Sequence, residues 1–278
     1  MKRWIIFACG LSVAAVWRPA APVDPGLLQN LHMVQQRDTA RAIAHQSQGL
    51  KLVGENKFAA ALDQFRRSAA YDPNLVPTYI NMAFCLDKLG RFEEAIAELQ
   101  TAEKLDPTNV MIFINWGNSL INLKRYQDAL EPLQKAVALE STNVLARLNL
   151  AAVYSNLNRP KDALTELEKA AEAAPQNPQI FFNWALLLSN TGDTTAALEK
   201  YKKVIELDPK NLSAYYNRAA LFEKLGQLDN AVTEIQAAIK VFPDNVTLKE
   251  ILQKLEAVQR MRQQPISMPP PALPPPPP

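Results

Sequence analysis

Apolar residues recur along this chain at spacings of three and four, in short segments separated by polar residues. In one segment, Phe113, Trp116 and Leu120 fall on a single face of a helix. In the next segment, Ala129 and Leu133 share a face in the same way. The break between such segments mostly carries Gly or Asn, which tolerate the left-handed backbone that ends a helix. The pattern therefore predicts pairs of short antiparallel helices.

The predicted helix pairs repeat with a period of 34 residues, and a fixed period of this length is typical of stacked helical units. Two columns of small residues follow it: Gly49, Ala83, Gly117, Ala151, Ala185 and Ala219, then Ala61, Ala95, Ala129, Ala163, Ala197 and Ala231. Large apolar residues fill another column: Phe65, Leu99, Leu133, Leu167, Tyr201 and Ile235. Proline closes all units but one, at Pro73, Pro107, Pro175, Pro209 and Pro243.

These columns resemble the tetratricopeptide repeat, which has a small residue in its first helix, Ala followed by an aromatic residue or Leu in its second, and a closing Pro. The resemblance covers six consecutive units, here numbered 1 to 6: 42–75, 76–109, 110–143, 144–177, 178–211 and 212–245. It implies an all-α fold, a right-handed α-solenoid of helical hairpins. Stacks of this kind usually bind other chains along a concave surface.

The segments next to the repeats differ from them in composition. Residues 23–41 are expected to form a helical leading segment, and 246–262 a helix with one apolar side that caps the stack. Residues 263–278 are rich in proline and predict a disordered, extended tail. Such a tail is either a spacer or a ligand for a polyproline-binding partner.

The N-terminal residues 1–22 have the pattern of a signal peptide or an N-terminal anchor. Two basic residues, Lys2 and Arg3, precede an apolar run at 4–16. The run is shorter than the roughly 20 residues of a membrane-spanning helix. We therefore expect a periplasmic, extracellular or membrane-associated protein, the alternative being a cytoplasmic one with an unusual apolar N-terminus.

Asparagine and proline residues mark the expected helix boundaries. One asparagine stands directly before each predicted first helix of units 3 to 6 and before the capping helix, and is expected to cap the helix that follows: Asn109, Asn143, Asn177, Asn211 and Asn245. Pro160 falls in a first turn, where proline is tolerated. Pro132 falls inside the second helix of unit 3, where it removes a hydrogen bond and predicts a kink.

A candidate binding surface follows from the helical wheel of the first helices. Their second, sixth, ninth and thirteenth residues lie opposite the core and face the concave groove. The candidate groove residues are Asn81, Phe84, Met111, Asn115, Asn118, Asn122, Leu145, Asn149, Asn156, Asn183, Leu186, Asn190 and Asn217. A carboxamide offers both a donor and an acceptor, which matches the peptide bond. This lining, nearly free of acid, predicts a surface that binds an extended peptide of another protein.

Three further interpretations of this surface bear on function. The asparagines resemble the ladder in the repeat region of the glycosyltransferase that adds N-acetylglucosamine to proteins, although the aspartates of that ladder are missing here. A clamp for acidic chaperone tails is excluded, because Ile80, Ile114 and Leu148 stand where Lys or Arg is needed. Alternatively, the asparagines tie neighbouring helices together, and the protein is a structural assembly factor that acts through its convex face or edges.

Composition and motifs argue against several other function classes. The chain has 30 basic and 28 acidic residues, so its net charge gives no reason to expect nucleic acid as a partner. No phosphate-binding glycine loop, nucleophile motif or metal-ligand spacing appears in the sequence. The acidic residues mostly fall on predicted exposed faces. We therefore expect a non-catalytic scaffold or adaptor with no cofactor and no metal.

Overall fold

The computed structural model describes residues 25–263, and in this range the chain forms thirteen α-helices and no β-strand. The helices are α1 (Pro25–Gly54), α2 (Phe58–Tyr71), α3 (Val76–Lys88), α4 (Phe92–Leu105), α5 (Val110–Asn122), α6 (Tyr126–Leu139), α7 (Val144–Asn156), α8 (Pro160–Ala173), α9 (Pro178–Thr191), α10 (Thr194–Leu207), α11 (Leu212–Lys224), α12 (Leu228–Val241) and α13 (Val246–Gln263). This architecture confirms the predicted all-α repeat fold.

The helices stack as hairpins in chain order. The odd-numbered helices α1 to α11 are the first helices of units 1 to 6, and the even-numbered helices are the second. Each helix packs against the next one in the chain, and successive first helices also approach one another, α3 with α5, α5 with α7 and α7 with α9. The first helices therefore form the inner, concave layer, and the second helices form the outer, convex layer.

The columns of small residues mark where helices approach most closely. All six alanines of the second column are completely buried. A Cβ atom added to Gly49 would lie 2.5 Å from the ring of Phe65, and one added to Gly117 would lie 2.5 Å from Leu133. The two helices of a hairpin therefore leave no room for even a methyl group at these two glycines.

The predicted turns and caps are present. The turn within each hairpin contains one residue with φ between 57° and 92°: Asn56, Gly90, Lys124, Asn158, Gly192 and Gly226. The side chains of the five predicted capping asparagines each accept a hydrogen bond from a backbone N–H of the following helix. These local signals end each helix at the same point of the period, so the units remain in register.

The two prolines of the second helices behave differently. α8 begins at Pro160, as predicted. Pro132 lies inside α6, which nevertheless runs unbroken over 14 residues, the same length as α8. Leu133 and Ala136 on the inward side of α6 are completely buried. α6 thus keeps its inward contacts although Pro132 cannot donate a backbone hydrogen bond, and the kink expected at Pro132 stays a prediction.

Both ends of the described range are helical. α1 begins at Pro25, ahead of unit 1, and passes without a break into that unit's first helix. α13 packs against α12, with Leu248 and Leu255 buried. The predicted signal or anchor at 1–22 and the proline-rich tail beyond Gln263 lie outside the described residues. Between residues 25 and 263, no helix combines the length and hydropathy that crossing a membrane requires.

Candidate functional site

The concave layer carries two clefts that bring together most of the candidate groove residues. The first, which we call the α5 cleft, lies between α3, α5 and α7 and has a volume of about 350 Å³. It is lined by Phe84, Asp87, Lys88, Asn115, Asn118, Ile121, Asn122, Asn149 and Ala152. Five of the thirteen predicted residues, drawn from three consecutive units, therefore meet at one place.

The amides of the α5 cleft are only partly used by the protein itself. The Nδ2 atom of Asn149 donates a hydrogen bond of 2.7 Å to Oδ1 of Asn118 in the preceding unit. This bond leaves the carbonyl oxygen of Asn149 and the NH₂ group of Asn118 with capacity for a further partner. The pair thus both links adjacent units and presents an acceptor and a donor side by side.

The second cleft, which we call the α9 cleft, lies mainly between α7 and α9 and has a volume of about 220 Å³. Its lining includes Asn156, Asn183, Leu186 and Asn190 of the candidate set. The carbonyl oxygen of Asn183 accepts a hydrogen bond of 3.0 Å from Gln179, and Asn156 donates to the backbone carbonyl of Ala152. Local contacts therefore engage these amides in part, and the cleft remains open.

The other four candidates lie outside the two clefts. Met111 and Leu145, at the second place of their units, are 43% and 46% exposed. Asn81 is half-buried. Burial raises the pKa of Tyr201 to about 12, and the nearby Asn217 amide acts in the opposite direction. Asn217 therefore lies where α11 meets α10, outside both clefts.

Exposed apolar side chains form a stripe along the same layer. Besides Phe84, Met111, Leu145 and Leu186, it includes Ile43 and Leu50, which are 51% and 49% exposed. The sequence analysis did not select these two residues of unit 1. They occupy the second and ninth places of that unit, so the 34-residue period contained the signal that identifies them. The apolar stripe thus extends from unit 1 to unit 5.

A carboxylate also lies in the α5 cleft, at a place in the repeat that the helical wheel did not select. The Ser119 hydroxyl of α5 donates its proton to the Asp87 carboxylate, and the Ser119 Oγ atom lies 2.8 and 3.1 Å from the two carboxylate oxygens. Burial raises the pKa of Asp87, while Ser119 and Lys88 act in the opposite direction. Asp87 stands at the twelfth place of its unit, just before Lys88, and the serine of the next unit holds it within the cleft.

Sequence comparison identifies the family. Profiles of the tetratricopeptide repeat match residues 52–110 and 120–181, 82–143 and 212–245, and a TPR repeat profile matches 188–226. Together these matches follow the stacked hairpins from 52 to 245 with a short gap at 182–187. The chain belongs to the tetratricopeptide repeat family. Proteins of this family generally mediate protein–protein interactions, and their fold is typically a non-catalytic scaffold.

Solved structures with the same fold span most of this TPR chain. PilF of Pseudomonas aeruginosa is 19% identical over 78% of this chain and 99% of its own, with a TM-score of 0.63. A tetratricopeptide repeat protein from Parabacteroides merdae is 17% identical over 80% of this chain and 88% of its own, with a TM-score of 0.62. These two likenesses show the fold alone.

YrrB is described as a TPR protein with an unusual peptide-binding site. It is 26% identical over 68% of this chain and 97% of its own, with a TM-score of 0.52. No curated protein matches this chain in sequence.

Proposed function

We propose that this TPR protein is a non-catalytic adaptor that binds an extended segment of another protein along its concave layer. The observation that carries the proposal is the α5 cleft, in which paired amides with remaining hydrogen-bonding capacity lie beside exposed apolar side chains. The amides suit a peptide backbone, and the apolar stripe suits alternate side chains of the same segment. The likeness to YrrB, itself described as having a peptide-binding site, supports this proposal.

The energies of the expected contacts fit a weak to moderate affinity for the peptide. Each amide hydrogen bond contributes a net of about 1 kcal/mol. The ligand must also be ordered on binding, and this opposes the gain from the contacts. We therefore expect a dissociation constant on the order of micromolar or weaker for one isolated peptide, which corresponds to about −8 kcal/mol.

Photocrosslinking in the cell identifies the segment. A photoreactive amino acid replaces Met111 or Leu145 in the concave layer, and, as a control, Thr165 on the exposed side of α8 in the convex layer. We expect one protein segment to be crosslinked from the two concave positions and not from Thr165. Crosslinking of the same partner from Thr165 alone would favour an assembly factor that acts through its convex face.

The segment found in this way is then titrated as a synthetic peptide against the full chain. Replacing Asn149 and Asn183 together by Ala is expected to weaken binding at least tenfold, since it removes two hydrogen bonds at about 1 kcal/mol each. Asn217→Ala is the matched control, because Asn217 lies outside the two clefts. It should leave the affinity unchanged, and an unchanged affinity in the double variant would leave the asparagines with a structural role.

One proposal and one prediction concern the ends of the chain. We propose export or membrane attachment through 1–22, supported by the basic residues Lys2 and Arg3 before an apolar run. A charge placed in that run, as in Phe7→Asp, should shift the protein to the cytoplasmic fraction of fractionated cells. The tail at 263–278 stays a prediction, either as a spacer or as a ligand of a polyproline-binding partner.

A further inference from the structure

A third cleft opens on the convex layer, away from the groove. This outer cleft has a volume of about 400 Å³, with walls formed by α4 and α6 and a floor formed by α5 of unit 3. Its apolar surface comes from Ile96, Phe113, Trp116 and Leu120, and Pro132 lies on its α6 side. The residues that face the concave layer do not contribute to it, so the outer cleft is independent of the proposed peptide groove.

Unit 5 contains the same aromatic pair 68 residues later, at Phe181 and Trp184. There, the place that corresponds to Pro132 is taken by Lys200. The Nζ atom of Lys200 lies 3.5 Å from the centre of the Trp184 ring and 6.0 Å from that of Phe181. A lysine of the chain itself thus covers this tryptophan in a cation–π contact.

In unit 3 the corresponding tryptophan packs against buried neighbours but has no such cation over its ring in the described part of the chain. Pro132 has no charged group to extend over Trp116, and in the part of the chain that the structure describes no Lys or Arg lies over that ring. Lys135 does not replace the missing lysine, because its Nζ atom lies 4.2 Å from the centre of the Phe113 ring and 2.6 Å from the carboxylate of Glu103. Trp116 is half-buried, so one part of its ring borders the cleft.

The charges around the outer cleft are complementary to a cation. Three carboxylates, of Glu103, Asp128 and Glu131, line it together with two basic groups. Lys135 pairs with Glu103, and Arg125 pairs with Asp128 at 2.7 Å. Over residues 25–263, Glu131 forms no ion pair and lies exposed on α6. The Glu131 carboxylate is therefore available to a ligand in the cleft that Trp116 also lines.

We propose that the outer cleft binds a lysine side chain of a partner protein. This lysine would lie above the Trp116 ring, as Lys200 lies above the Trp184 ring. The tail of the chain itself does not supply this lysine, since residues 264–278 contain no basic residue. A cation held over a tryptophan face and beside a carboxylate is stabilised by both groups. The same position thus serves intramolecular packing in unit 5 and recognition in unit 3.

Nuclear magnetic resonance of the ¹⁵N-labelled full chain tests the proposal. The indole N–H signal of Trp116, assigned with a Trp116→Phe variant, is followed during titration with acetyl-Gly-Lys-Gly-amide. We expect a saturable shift of the Trp116 signal and none of the Trp184 signal, which Lys200 already covers. The same peptide acetylated on its lysine Nζ atom should cause no shift, because it lacks the positive charge. Equal shifts with both peptides, or no shift of Trp116, would overturn the proposal.

Two variants that exchange the environments of Trp116 and Trp184 make the test specific. Pro132→Lys copies unit 5 into unit 3 and should abolish the response of Trp116, because the new lysine covers the ring. Lys200→Ala uncovers Trp184, whose signal should then respond to the lysine peptide. Full binding by a Pro132→Lys protein with an unchanged circular dichroism spectrum would contradict the proposal.

A surface variant provides a second readout that does not depend on changing the helix at Pro132. Glu131 is exposed on α6, so Glu131→Gln should leave the fold intact. It is expected to weaken binding of the lysine peptide by about two- to fivefold, the effect of losing one exposed ion pair. An affinity equal to that of the unaltered protein would count against the proposal.

Discussion

Units 4 and 6 place a glutamate at the same point of the second helix, and the environments of the two carboxylates differ. In unit 4, Arg147 donates hydrogen bonds to Glu166 and, through Nε, to the Ser141 carbonyl at 2.7 Å. In unit 6, Arg218 donates to Glu234 at 2.6 Å, while its Nε atom is buried without a hydrogen-bond partner among the described residues. A buried charge pair is tolerated best when every donor is satisfied. Two glutamates at the same position of the repeat are therefore not stabilised to the same extent by their arginines.

The largest expected loss of stability comes from breaking the pair of Arg147 and Glu166, whose hydrogen-bond donors are satisfied. Arg147→Ala leaves Glu166 in a buried site with only Lys169 nearby, at 3.7 Å. Loss of one partner of a buried pair costs about 3–5 kcal/mol, and Lys169 should keep the loss near 3 kcal/mol. The free energy of unfolding from denaturant titration measures it. Arg91→Ala, which removes an exposed arginine, is the control and should change little. A similar loss in both variants would mean that the pair in unit 4 has no special role.

A smaller effect is expected when each pair is replaced as a whole. Arg218→Met combined with Glu234→Leu removes the unsatisfied Nε atom, and apolar replacement of such pairs is often neutral or stabilising. Arg147→Met with Glu166→Leu also removes the hydrogen bond to the Ser141 carbonyl, a net loss of about 1 kcal/mol. Melting temperatures of the two double variants, measured side by side, compare the units directly. The comparison fails if the unit 6 replacement is the more destabilising one.

The smallest expected effect is the pH dependence that Glu234 contributes in unit 6. Burial raises the pKa of Glu234, although Arg218 lowers it in part. The folded protein then retains the proton to a higher pH than the unfolded chain, whose glutamate titrates near 4.5. Glu234 therefore contributes stability that is fully present below this value and is lost as the pH rises through the folded-state pKa. The free energy of unfolding, measured at several pH values, should fall with rising pH in the unaltered protein and in Glu206→Gln. The fall should be weaker in Glu234→Gln.

The fold was predictable because the repeat period and the helix-ending residues are local properties of the sequence. The asparagine caps, the left-handed turns at Gly90, Asn158, Gly192 and Gly226 and the start of α8 at Pro160 were all expected. The unbroken course of α6 through Pro132 depends on buried contacts with neighbouring helices. Such contacts arise only when hairpins are stacked, so the sequence pattern of one helix does not contain them.

The candidate groove was predictable in outline and not in detail. The period placed the asparagines and apolar residues on the concave layer, and it also covered Ile43 and Leu50. It could not distinguish Asn217, which lies outside the two clefts near Tyr201, from Asn149, which lines the α5 cleft and bonds to a neighbouring amide. Nor could it indicate that acidic residues such as Glu166 would be buried. These differences depend on the partner that each side chain meets in the adjacent helix or unit.

The unbroken course of α1 has a mechanical consequence. Thirty residues of helix span about 45 Å, and the stretch that includes Ile43 and Leu50 belongs to the same rod as Pro25. A force applied at Pro25 would pass along α1 to the concave layer, because no loop interrupts the helix between Pro25 and Gly54. The direction of α1 therefore sets the orientation of the concave layer relative to anything attached at Pro25.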